Sequence, residues 1–375
     1  MVWNWQLKNW PNFTWDATKF ERAEQLFLEE AALMAGTFRY LGKEDYAKLT
    51  ADLMSIDAID TSAIEGESLN RNSVHSSICK ALGVAGPAER AKPAERGVAQ
   101  MMVSLYESLG QTLTEDLLFD WHKQVMQGRQ DLDCIGGYRQ YEEAMQIISG
   151  PDYAKKVHFE APPSKAVPKE MQAFLAWFGQ ERKLPNIVRA GLAHLWFESI
   201  HPFEDGNGRI GRAIAEKALA EGMRRPSIVI LSQTLLKHQK AYYQALSEAS
   251  VTLDITDWLL WFATIVIEAQ RNTQAYIDFT MHKSKLLEAL KDKLNTRQEK
   301  ALIRMFREGP GGFQGGLSAA NYMQITKATS ATTTRDLVDL VEKGALTRKG
   351  ARKATRYFLN IDVKPVKQVL PKDIT

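Results

Sequence analysis

The chain has 375 residues, 45% hydrophobic and 25% charged, a balance that excludes global disorder and leaves room for two or three domains. Two cysteines, Cys79 and Cys134, exclude a disulfide framework and a four-cysteine zinc site, and a formal net charge of +3 is too small to require nucleic acid. The start Met1-Val-Trp-Asn-Trp lacks a signal peptide's basic and apolar regions, and the longest apolar stretch, around Trp258–Ile267, is about half a bilayer span, so a cytoplasmic location is expected.

Trp3, Trp5, Trp10 and Trp15 crowd the first 15 residues, and with Pro11-Asn12 among them they read as an irregular arm pinned by aromatic rings. From about Ala17 to Gly110, apolar positions recur at three and four residues and predict helices. Phe20, Ala23, Leu26, Phe27, Ala31 and Leu33 form one such stripe, and Pro87 and Pro93 mark a loop. Leu113–Gln127 predicts a further amphipathic helix ended by Gly128. Tyr141–Ser149 and Lys156–Pro162 are short and partly alternating, and they flank Gly150-Pro151-Asp152, so a β-hairpin is expected there. Helices are predicted again over Pro168–Gln180, Asn186–Glu198, Gly211–Gly222 and, fully buried, Asp257–Gln270. A charged amphipathic helix over Lys283–Asn295 then leads to a second module from Thr296. Its glycine run Gly309–Gly316 lacks the Gly-Lys-Ser/Thr of a phosphate cradle and reads as a loop. Leu317–Ile325 and Ala328–Gly344 suit two helices around a Thr-rich turn, and Leu346–Leu359 suits a wing. Lys343, Arg348, Lys349, Arg352, Lys353 and Arg356 form a basic stretch with no acid among them, open to DNA contact or to a solvated or dimerising face.

One segment concentrates the chemistry: His201-Pro-Phe-Glu-Asp205-Gly206-Asn207-Gly208-Arg209-Ile210-Gly211-Arg212. An apolar helix carrying Leu192, Leu195, Trp196 and Ile200 delivers His201 into a loop that Pro202 keeps from staying helical. Gly206 and Gly208 can turn backbone N–H groups toward one point, and the following helix aims its positive end there. Arg209 and Arg212 lie three apart in that helix's first turn, and Asp205 is placed to hold a hard cation between phosphate oxygens. The sum is a polyphosphate site beside a titratable base. Gly206, Gly208 and Gly211 also satisfy the dinucleotide pattern, but a helix precedes them, and Pro226–Ser232 supplies none of the acidic residue that pattern requires. His194, on the same apolar helix, reads as structural.

The full string resembles the Fic signature H-x-F-x-[D/E]-G-N-G-R-x-x-R at every fixed position. The resemblance implies a mainly α fold: a Fic-type helical core with a β-hairpin flap at about Gln146–Phe159, then a small α+β winged-helix domain. It implies AMP transfer from ATP to a Tyr, Thr or Ser hydroxyl of a target protein or of the chain itself. His201 would be the general base, Asp205 the Mg²⁺ ligand, and Gly206, Asn207, Gly208, Arg209, Ile210, Gly211 and Arg212 the ATP-binding set. Thr61-Ser-Ala-Ile-Glu65-Gly66 resembles the family's inhibitory motif, with Glu65 placed to pair with Arg212 and disturb ATP docking. The alternative reading of that segment is a helix end capped by Gly66. Tyr243 falls where members carry an aromatic near adenine, whereas Ser250 replaces an asparagine they often have.

The expected domains are residues 1–110 with the inhibitory motif, 111–280 as catalytic core, and 281–375 as linker helix and winged-helix-like domain. Expected partners are ATP, a protein hydroxyl, DNA through residues 318–358, and a second copy in a homodimer. Two alternatives remain: a de-AMPylating hydrolase using the same site, and a DNA-binding regulator with a nucleotide-sensing Fic domain.

Overall fold

The computed structural model describes residues 2–39, 41–86, 89–149, 156–222, 229–313, 315–363 and 366–375. The chain divides into two compact units, Met1–Arg271 with Gln368–Thr375, and Asn272–Lys367. Across the expected boundary near residue 110, Val98 and Met101 share one hydrophobic cluster with Trp121, Phe197 and Ile214.

The first unit is built from α1 (Glu21–Phe38), α2 (Lys43–Ile64), α3 (Arg71–Ala81), α4 (Pro93–Glu107) and α5 (Glu115–Val125), a hairpin of β1 (Gln146–Ser149) and β2 (Lys156–Glu160), then α6 (Val167–Gln180), α7 (Asn186–Ile200), α8 (Asn207–Gly222), α9 (Leu231–Lys237) and α10 (Gln239–Ala249). The stripe of α1 buries Phe20, Ala23, Phe27, Ala31 and Met34, while Leu33 is exposed. The correction follows from the helical period: after Ala31 the buried face returns at three residues, not two. The helix expected over Leu113–Gln127 begins only at Glu115, because the Thr114 side chain caps it by accepting from Leu117 N. α7 is buried on almost every side, since α8 and its other neighbours enclose it.

The hairpin is antiparallel, with Gln146 opposite Glu160 and Ile148 opposite Val157. The expected turn at Gly150-Pro151-Asp152 lies outside the described residues, as does Pro87 of the expected interhelical loop. The tryptophan arm is anchored as its composition predicts. Trp3 meets Phe159 edge to face at 5.3 Å, the Trp5 indole donates to Glu160 O, and the Asn4 amide donates to the Ser199 hydroxyl on α7.

The two helices expected over Asp257–Gln270 and Lys283–Asn295 are one helix, α11 (Thr256–Ala289), and the division between the units falls inside it. No glycine or proline interrupts that stretch, so nothing local stops the helix. The second unit continues with α12 (Thr296–Phe306), α13 (Ala319–Thr326) and α14 (Ser330–Glu342). An antiparallel hairpin, β3 (Leu346–Lys349) and β4 (Arg356–Leu359), closes it over a core of Leu302, Phe306, Tyr322, Leu337 and Tyr357. In its basic stretch Lys343 is paired with Asp339 at 2.5 Å, whereas Arg348, Lys349 and Arg352 are exposed. Among the described residues no helix is long and apolar enough to cross a membrane.

Candidate active site

α7 ends in a turn that determines where its histidine lies. His201 caps the helix in the left-handed region, with φ 50° and ψ 61°, and only 8% of it is exposed. That conformation costs a non-glycine residue about 1–2 kcal/mol and must be held by its surroundings. The loop after it is braced internally. The Asn207 carboxamide accepts from Phe203 N at 2.9 Å and donates to Phe203 O at 2.8 Å, closing the turn over Phe203. His122 of α5 stacks on the Phe203 ring at 4.2 Å. Gly136 N donates to His122 Nδ1, which leaves the Nε2 proton to bond Asp205 O. Gly206 adopts φ 83°, a glycine conformation, and its carbonyl accepts from Ile210 N as α8 begins.

Burial, then the Arg139 guanidinium, push the His201 imidazole down to about 4, against the opposing pull of the Glu198 carbonyl and the Glu65 and Asp205 carboxylates. The ring is therefore neutral at neutral pH, the form a base requires. Nδ1 is buried 3.7 Å from Glu198 Oε2 and, among the described residues, has no partner at hydrogen-bonding geometry. Burial, with the Glu65 charge, pushes Glu198 up to about 8, so that carboxyl stays protonated. Asp205 behaves oppositely. Burial raises it, but the Arg129 hydrogen bond, the Arg209 charge and Gly206 N–H together hold it below the usual carboxylate range. Its Oδ2 accepts from Arg129 at 2.5 Å, and Arg129 also binds Asp131.

The two arginines meet the end of α2. Arg212, 1% exposed, donates through Nε to Thr61 Oγ1 at 2.7 Å, and through Nη2 to Thr61 O at 2.9 Å and Glu65 Oε1 at 2.7 Å. Its Nη1 is buried and has no hydrogen-bond partner among the described residues. Arg209 donates to Glu67 Oε2 at 2.8 Å. Gly66, at φ 81°, ends α2 between these two glutamates, so the helix cap and the carboxylate pair are one structure. Gln239 and Tyr243 of α10 both donate to Ile64 O, satisfying the last carbonyl of α2. The Glu65 carboxylate lies so close over Gly208 that a Cβ there would overlap it.

A cavity of about 560 Å³ opens on this assembly. Of the expected set, Glu65, His201, Asp205, Gly206, Asn207, Gly208, Arg212 and Tyr243 line it, with Leu195, Tyr242 and Leu246 as apolar wall. Arg209, Ile210 and Gly211 do not. α8 begins at Asn207 rather than near Gly211, and its turn points Ile210 into the core and Gly211 against Glu198 and His194. The Asn207 side chain is spent on the loop and offers a ligand only its neighbourhood. His194 is structural as read, buried and bonded to the Tyr242 hydroxyl at 2.7 Å. Sequence reading did not single out Glu67, His122, Arg129, Arg139 or Glu198. Glu67 alone carried a hint, sitting two residues beyond Glu65 in the same cap.

Residues 112–219 match the Fic/DOC family, and residues 3–84 match a domain of unknown function, DUF4172. A probable protein adenylyltransferase of Aquifex aeolicus is 27% identical over 152 residues; the match spans 40% of this chain and 42% of that protein, less than half of either. A Fic family protein from Desulfovibrio desulfuricans G20 is 23% identical, covers 90% of this chain and 95% of its own, and superposes with a TM-score of 0.50. A Fic domain containing signaling protein from Bacteroides thetaiotaomicron is 18% identical over 68% of this chain and 96% of its own, also at 0.50. At these identities the two structures speak for the fold.

Proposed function

We propose that the chain, whose residues 112–219 match the Fic/DOC family, transfers AMP from ATP to a hydroxyl side chain of a protein, held back by the end of α2. One observation carries the reading: an anion, the Glu65 carboxylate, already sits on the Arg212 guanidinium above the backbone of Gly208 at the start of α8. A position that suits that carboxylate suits a phosphate oxygen for the same reasons, namely amide donors, the helix dipole and a buried guanidinium. The neutral His201 beside it takes the proton of the incoming hydroxyl at Nε2, the ring nitrogen not enclosed against Glu198. The oxygen forms its bond to the α-phosphorus as the bond from that phosphorus to the bridging oxygen breaks, and diphosphate leaves.

Mg²⁺ fits the donors present. Asp205 is an ionised single carboxylate beside the amide cradle, and Mg²⁺ is commonly held by one or two carboxylates together with substrate phosphates. Asp205 would hold it, exchanging the Arg129 contact for the ion. When bound, the ion supplies charge neutralisation on the phosphate oxygens. Arg212 serves the distal phosphates once Glu65 withdraws, and Tyr243 on the cavity rim, half exposed, stacks with the base.

Inhibition in this reading is direct competition, with Glu65 on Arg212 and Glu67 on Arg209. The test is incubation of the Glu65→Gly chain with α-labelled ATP and a cell lysate, followed by mass spectrometry of labelled proteins. Label on serine, threonine or tyrosine that disappears with His201→Ala supports the proposal, and label absent from both overturns it.

A further inference from the structure

Arg139 is 1% exposed, and among the described residues every hydrogen-bond partner of its guanidinium is neutral. Nε donates to His201 O at 2.8 Å, and Nη2 donates to Ile200 O at 3.3 Å and Pro162 O at 2.5 Å. Nη1 donates to the Ser164 hydroxyl at 2.9 Å, and the backbone N of Arg139 donates to Pro202 O at 3.0 Å. One residue thus takes three consecutive carbonyls, those of residues 200, 201 and 202, at the C-terminus of α7. With its remaining donors it binds Pro162 and Ser164, two and four residues past the end of β2. Burying a guanidinium among neutral partners is costly, and a helix end needing its carbonyls capped could be served by water or a surface lysine. A planar fork of five donors fixes geometry as well as charge.

We propose that Arg139 is a positioning residue for the base. It holds His201 in its left-handed turn and ties that turn to the chain leaving the β1–β2 hairpin, so that imidazole and hairpin keep one register. The inference rests on the transfer reading, in which His201 takes the proton of the incoming hydroxyl. Arg139 has a second, electrostatic consequence, because its charge helps keep the imidazole neutral. The other charged or titratable groups facing that ring are Glu198 on α7, Glu65 at the end of α2, and Asp205 in the loop. Tyr138 fixes the approach of the segment, with its ring 4.8 Å from Phe119 and 5.9 Å from Phe203.

The experiment uses the full chain carrying Glu65→Gly, to which Arg139→Lys and Arg139→Gln are added separately. Two readouts are taken: kcat and KM for ATP from label transfer, and the titration of the His201 ring by NMR without ATP, assigned with His201→Gln. Loss of the fork in both variants is expected to lower kcat on the order of a hundredfold, the penalty of an ångström-scale misplacement, with KM for ATP within about threefold of the parent. Arg139→Gln should raise the ring's pKa by about one unit, and Arg139→Lys should leave it nearer the parent. Variants that fold, transfer within about threefold of the parent and leave the titration unmoved overturn the proposal. If circular dichroism shows neither variant folded, Ser164→Ala removes the Nη1 contact beyond the hairpin while the Nη2 contact to Pro162 O stays. It is expected to lower kcat several-fold at unchanged melting temperature, and full activity there overturns the tie. A Glu65→Gly parent that transfers nothing rejects the enzymatic reading instead, while the ring titration still decides whether Arg139 acts on His201.

Discussion

Replacing Glu65 by glycine isolates one contact. Arg212 keeps both of its bonds to Thr61, at 2.7 and 2.9 Å, so the guanidinium stays in place when the 2.7 Å contact to Glu65 Oε1 is lost. A hydrogen bond to a charged group contributes about 1.5–3 kcal/mol. The Glu65 side chain is 30% exposed, so the lower part of that range, about 1.5–2 kcal/mol, applies. An anion competing for the same guanidinium gains what the carboxylate no longer takes. At RT near 0.59 kcal/mol this corresponds to an ATP affinity about 10- to 30-fold higher. Self-labelling with α-labelled ATP below saturation should rise by the same factor, and direct ATP titration should report the affinity change independently. The protein should remain folded, with a small loss in melting temperature. If the variant folds and both affinity and labelling stay within twofold of the parent, Glu65 does not compete for the phosphate site.

The remaining expectations concern the base, the second carboxylate, the metal and the packing. His201→Ala should keep ATP affinity within about threefold while label transfer falls to background, since the ring serves the hydroxyl rather than the nucleotide. With the ring at about 4 when folded and near 6.5 when unfolded, the unfolded chain binds the extra proton, so His201 contributes stability above pH 6.5 that is lost as pH falls toward 4. Melting temperatures across pH 7 to 4.5 should show that acid loss, and His201→Gln should reduce its slope. Glu67→Ala should raise labelling less than Glu65→Gly does, because Arg209 does not line the cavity, and titration of both variants with ATP separates the two contributions. Chelation of Mg²⁺ should remove transfer by the Glu65→Gly chain, and Asp205→Asn should weaken its restoration by added Mg²⁺ in a metal titration. Gly97→Ala gains helix propensity, but its Cβ would collide with the Gln124 carbonyl of α5, so a net loss of about 1–2 kcal/mol is expected in denaturant melts.

Local chemistry makes much of this legible in the sequence itself. Pro202 and the glycines at 206 and 208 demand a turn, apolar positions recurring at three and four residues demand helices, and His201, Asp205 and Arg212 do converge on one cavity. Boundaries were less secure where several starts were acceptable: α8 begins four residues earlier than Gly211 because the Asn207 carboxamide closes the preceding loop. Leu33 and Met34 are equally apolar, and only the angular position of Ala31 against the core decides which is buried. Glu67, Arg129 and Arg139 illustrate the remaining gap. Each is an ordinary charged residue in its own segment, and its meaning arises from partners 142, 76 and 62 positions away. Covalent order and side-chain chemistry decide turns, caps and periodicity, because those depend on neighbours within a few residues. Which carboxylate occupies a guanidinium, and which buried cation braces the base, depends on the packing of α2, α5 and α7 around α8, and packing is a property of the folded chain alone.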